Sequence, residues 1–147
     1  MSTDLAPAIA TVCGAVFAGA AAYVSFVEHP ARIACGPAVA LRQFAPSYHR
    51  GTIMQASLAV LGALAGVLAW WMGGSVVWAF GAAFLGFAVP FTLIAIFPTN
   101  HKLLDPALEP TSPEAARLLA RWGDLHAVRT VVGFLAFGFF LLALFWR

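Results

Sequence analysis

Four long apolar runs, separated by polar and proline-rich stretches, set the pattern of this chain. They lie at about residues 5–28, 50–72, 75–97 and 122–146. Crossing the ~30 Å hydrocarbon core takes about 20 mostly apolar helical residues. The last run, "VVGFLAFGFFLLALFW", reaches that length only if its helix begins upstream, near Trp122 or Leu125. Gly73 and Gly74 alone join the second and third runs, which marks a tight hairpin. The other two connections, about 28–50 and 98–121, carry prolines at 30, 37 and 46 and at 98, 106, 110 and 113. Within the second, "TSPEAARLLARW" has a serine cap before an acidic residue and an i, i+3, i+4 apolar pattern. The expected fold is all-α: an integral membrane up-down-up-down four-helix bundle, a single transmembrane domain with a short amphipathic helix before the last span.

Composition supports this reading. The chain is 62% hydrophobic and 10% charged, against about 45–50% and about 25% in soluble domains. A net charge of +2 without basic–aromatic interleaving excludes a nucleic-acid partner. Cys13 and Cys35 form no CxxC or zinc spacing and read as free thiols. "MSTD" lacks the basic residue of a signal peptide, so the first run reads as a retained helix. Arg32, Arg42, Arg50, Lys102, Arg117, Arg121 and Arg129 fall on the side of the long connections; Arg147 alone falls on the other. By the positive-inside rule the long connections are cytoplasmic and both termini lie opposite, as expected for a bacterial inner-membrane protein.

The chemistry-bearing residues gather at that same end. Trp122, His126, Arg129 and Gly133 share one helical stripe; Tyr48, Thr52 and Gln55 share another. Ser25, Glu28 or His29, and Arg32 form a third; Thr92, Ile96 and Thr99 or Asn100 a fourth. Ionisable groups at membrane depth are costly and face the bundle interior or a cavity. Four converging stripes predict a polar pocket roofed by the long connections, over an apolar plug where Gly14, Gly19, Gly62, Gly66, Gly81 and Gly86 let helices approach. A histidine near a carboxylate suits a general base, and arginine, asparagine and threonine suit an oxyanion clamp. His29, Glu28 and His126 are also a donor set compatible with iron or copper. The residues leave a bound Cu or Fe ion, or none, equally open.

"YVSFVEHPAR", "APSYHRGTIMQA", "VPFTLIAIFPTN" and "LLARWGDLHAVRT" together resemble the anthrone oxygenase family of small integral membrane proteins. The resemblance runs from about Gly14 to about Phe140. It implies a four-helix membrane protein, and in fungal relatives the oxidation of anthrones to anthraquinones with O2 as co-substrate. On that reading His126 or His29 is the base and Glu28 orients it, while Arg129 and Asn100 hold the enolate oxygen. Tyr48, Trp122 and Phe97 line a flat aromatic slot, with Gln55 and Thr92 completing the substrate contacts. The expected partners are the lipid bilayer and a lipophilic small molecule. Small-residue faces leave homo-oligomer formation open. The competing reading is a non-enzymatic membrane binder of a quinone, haem or metal, or a small assembly subunit. The terminal half of the bundle carries no ionisable side chain between its outermost residues, Asp4 and Arg147, and this argues against an ion pathway.

Overall fold

The computed structural model describes residues 5–146, so Asp4 and Arg147 lie outside it. Among the described residues there is no strand, and four helical rods are long and apolar enough to cross a membrane. They are α1 (Leu5–Ala34), α2 (Pro37–Trp71), α3 (Val77–Leu103) and α4 (Pro113–Phe145). Each rod packs against its two neighbours in chain order, and α4 closes the ring on α1. The protein is an integral membrane four-helix bundle, and its outward side chains meet lipid.

The rods run further than the apolar pattern suggests. Residues 28–50, expected as a connection, are helical except at Cys35 and Gly36, where Gly36 turns the chain at φ 85°. Prolines explain the difference. Pro30 and Pro98 each follow a π-helical turn, Val24–Glu28 and Thr92–Ile96. In these turns His29 N–H bonds back to Val24 and Phe97 N–H to Thr92, so the wider spiral closes just before the proline's missing donor. Pro46 sits inside α2 with Arg42, one turn back, on the same exposed face, where water can take up the freed carbonyl. The segment from Ser112 is helical and capped as expected: Ala115 N–H donates to Ser112 Oγ at 3.1 Å. It continues without a break into the last span.

At 1.5 Å per residue, α2 and α4 are about 50 Å long against a hydrocarbon core of ~30 Å. Their N-terminal turns therefore stand clear of the membrane and form a helical cap where long loops were expected. Phe44, Leu103, Leu118, Leu119 and Trp122 make the core of that cap. Below, Phe17, Trp78, Leu85 and Phe140 make the plug. Phe140 is fully buried, and Cβ atoms added at Gly14, Gly66 or Gly81 would collide with its ring. Gly62 is as tightly met, by Leu85 and Cys13. Gly19 has open space around its missing side chain and Gly86 only loose contact, so neither is required by the plug.

The two kinds of glycine should respond oppositely to alanine. Gly81→Ala overpacks Phe140 and should cost about 1–3 kcal/mol. Gly138→Ala, which faces open space, should be neutral or stabilising by up to about 1 kcal/mol through helix propensity. Unfolding in mixed micelles reads both; equal effects would contradict this packing.

Candidate functional site

Between plug and cap lies a cavity of ≈590 Å³, within the range of about 300–1,000 Å³ usual for ligand pockets. All four rods line it. Glu28 and Arg32 come from α1, Tyr48 and Gln55 from α2, Asn100 from α3, and Trp122, His126 and Arg129 from α4. The π turn in α1 ends at Glu28, one turn before Arg32, and that in α3 precedes Asn100; each re-aims the helix face where these residues enter the cavity.

Trp122 is the hub. His126 stacks on it at 4.8 Å between centroids, His29 lies tilted against it at 5.2 Å, and Phe44 meets it edge-on at 5.3 Å. The Arg32 guanidinium sits 5.5 Å from the Trp122 ring. Tyr48 stacks on Phe44 at 5.7 Å, extending the aromatic wall. The close seat of His29 requires Gly123, because a Cβ there would fall 2.5 Å from His29 Nε2.

Two of the arginines that line the cavity, Arg32 and Arg129, differ in their partners. Arg32 Nη2 donates to Glu28 Oε1 and, at 3.3 Å, to Ser47 Oγ. Gln43 Nε2 at 2.9 Å and Ser47 Oγ at 2.5 Å donate to the same Glu28 oxygen. This network ties the end of α1 to the start of α2. Arg129 Nη2 donates to the neutral Gln55 Oε1 at 2.6 Å, and its guanidinium lies 5.5 Å from the Phe17 ring. No carboxylate pairs with Arg129 among the described residues. On the far side of His126, Nδ1 lies 3.1 Å from Ser25 Oγ. Ser25 Oγ is 2.8 Å from Thr130 Oγ1.

Among the described residues, six buried polar side-chain atoms lack a hydrogen-bond partner, and all but that of His29 belong to residues lining this cavity. They are His29 Nδ1, Arg32 Nε, Gln43 Oε1, Asn100 Oδ1, Trp122 Nε1 and Arg129 Nε. Such atoms cost about 1–3 kcal/mol each when left unmet. Their concentration at one cavity is a pattern that stability alone does not select.

Glu28, Tyr48, Gln55, Asn100, Trp122, His126 and Arg129 are thus brought together as the sequence pattern implies. Three residues fall elsewhere. His29 lines a separate cavity of ≈370 Å³ between α1 and α4, which touches the first only through the wall formed by Trp122 and His126. Thr92 donates to Ala88 O at 2.7 Å and lines a small cleft beside Gln55 and Arg129. Phe97 is 40% exposed and packs on His101, so it does not form the aromatic slot; the π turn rotates it outward. The metal set fails as well. Among the described residues no three His, Cys, Asp or Glu side chains are grouped to hold an ion. The shared Glu28 oxygen takes its hydrogen bonds from Arg32, Gln43 and Ser47, while the His29 and His126 rings both pack against Trp122. Cys13 and Cys35 are free thiols, buried and exposed respectively.

Sequence reasoning left out Gln43 and Ser47, because Pro37 and Pro46 marked that stretch as a loop. Their i, i+4 spacing was the available signal. Arg32 stood on a predicted stripe, but its burial was not foreseen: it is 5% exposed.

The profile of the anthrone oxygenase family matches residues 44–139. The chain belongs to the anthrone oxygenase family. The match takes in Tyr48, Gln55, Asn100, Trp122, His126 and Arg129, whereas Glu28, His29 and Arg32 precede it. No curated protein and no solved structure matches the chain.

The Glu28 network makes a directional stability prediction. Glu28→Ala strands the buried Arg32 cation and should destabilise by about 3 kcal/mol, the low end for a broken buried pair. Arg32→Met leaves Glu28 with two neutral donors and should cost less. Paired unfolding midpoints check the order, and the reverse ranking would contradict it.

Proposed function

We propose that this protein is a membrane-embedded oxygenase that acts on a lipophilic aromatic substrate, anthrone- or quinol-like, with O2 as co-substrate. The observation that carries the reading is that His126 and Arg129, the latter without an acidic partner, face one cavity large enough for a flat polycycle. The family name points the same way.

An anthrone holds an acidic CH₂ conjugated to a carbonyl. His126 takes one of its protons as general base, and the electron pair moves to the carbonyl oxygen. Arg129 stabilises that oxyanion, in a low-dielectric site where fixed charge is most effective. Asn100, whose buried Oδ1 lacks a partner, meets a ring hydroxyl. Tyr48 and Trp122 hold the flat face. The carbanion carbon then gives electrons to O2; one oxygen atom stays on that carbon as a new carbonyl, and the other leaves with two protons as water. The base and the clamp come from this chain alone. Tyr23 and Met54, both well exposed, border the cavity on α1 and α2. A substrate dissolved in lipid therefore enters sideways between these helices.

The charge bias of the connections supports a cytoplasmic position for this end of the bundle in a bacterial inner membrane. Cys35, exposed in the α1–α2 turn, tests it. A membrane-impermeant maleimide should label Cys35 in inverted vesicles and not in intact spheroplasts; the opposite result would reverse the topology.

Oxygen uptake by purified protein with anthrone-like and quinol substrates tests the activity. His126→Ala should lower kcat by about 10²–10⁴-fold and Arg129→Gln by about 10²–10³-fold. Rates equal to wild type across these substrates would remove the assigned roles, and saturable binding without oxygen uptake would favour a ligand carrier.

A further inference from the structure

His126 does not choose its proton position freely. Thr130 Oγ1 lies 3.1 Å from Ala21 O and 3.3 Å from His126 O, and it donates to these carbonyls. A carbonyl oxygen only accepts, so the single Thr130 hydroxyl proton is spent there. At 2.8 Å the Ser25 and Thr130 hydroxyls share one further hydrogen bond, and only Ser25 has a proton left to give. Ser25 Oγ can then only accept from the atom on its other side, His126 Nδ1 at 3.1 Å. The chain of donors runs one way: His126 Nδ1–H to Ser25, Ser25 to Thr130, Thr130 to the backbone.

We infer that Ser25 and Thr130 are positioning residues that hold neutral His126 in the Nδ1–H tautomer, with its Nε2 lone pair presented to the substrate cavity. The inference deepens the oxygenase reading and rests on it for its use: a base must offer a lone pair, and this relay fixes which nitrogen offers it. Free imidazole side chains prefer the opposite tautomer, with the proton on Nε2, so the relay works against the intrinsic preference. Stacking of the ring on Trp122 at 4.8 Å keeps it from flipping. The anchor is the backbone of α1 one turn before its π-helical stretch, which ties the tautomer of an α4 side chain to the geometry of α1.

The test reads the tautomer directly. The protein is labelled with 15N-histidine, and His126 is assigned by difference from His126→Gln. The ring-nitrogen shifts are recorded in micelles at alkaline pH, where imidazoles are neutral. Wild type should show a protonated Nδ1 and a bare Nε2 at His126. Ser25→Ala and Thr130→Val should move the proton to Nε2, and the conservative Ser25→Thr and Thr130→Ser should keep the wild-type pattern. A bare Nδ1 in wild type, or shifts unmoved in both Ser25→Ala and Thr130→Val, would overturn the relay. If Thr130→Val does not fold, Ser25→Ala decides alone, since Ser25 is only partly buried. Turnover separates the two readings. A fall in kcat at constant KM in Ser25→Ala supports both. A moved tautomer with unchanged kcat overturns His126 as the base and leaves the relay standing.

Discussion

A guanidinium held at membrane depth with no acid beside it is the constraint on which the rest depends. Arg129 meets an amide oxygen and an aromatic face, and nothing of opposite charge among the described residues. Insertion of such a cation is costly. The bundle contains that cost by opening a cavity around it, placing polar groups from every rod at the same height, and sealing the space below with Phe17, Leu85 and Phe140. Cap, cavity and plug are three consequences of one unneutralised charge.

Two wide helical turns make this arrangement reachable. Without them, Pro30 and Pro98 would end α1 and α3 at the membrane surface. Because each π turn closes before its proline, the helices continue and carry Arg32 and Asn100 inward. Glu28 then anchors Arg32, Gln43 and Ser47 across the first connection. The cavity is thereby framed by rigid helices, which position side chains more closely than loops do.

Much of this was legible in the residues. Four apolar runs gave the rods, and the stripe Trp122, His126, Arg129 gave the wall of the cavity, because helical spacing maps directly onto a face. What escaped was what proline conceals. Gln43 and Ser47 lie between Pro37 and Pro46, and local rules read such a stretch as a connection. Only its packing against α1 shows it to be a helix end. His29 was assigned to the main cavity by an unbroken 3.6 period and Phe97 by the family resemblance, and a π turn lies just upstream of each. The three metal candidates are not grouped among the described residues, and Glu28 is bonded instead by Gln43 and Ser47, the two residues that the prolines concealed.

The most direct test of the uncompensated charge is a comparison of ligand affinities. A flat hydroxylated polycycle ionised to its phenolate, and its uncharged methyl ether, are titrated into detergent-purified protein and into Arg129→Gln. The account predicts that wild type binds the oxyanion at least about tenfold more tightly than the ether, or ~1.4 kcal/mol, and that Arg129→Gln loses this preference. Equal affinity for the two ligands in wild type, or a preference that survives in Arg129→Gln, would contradict it.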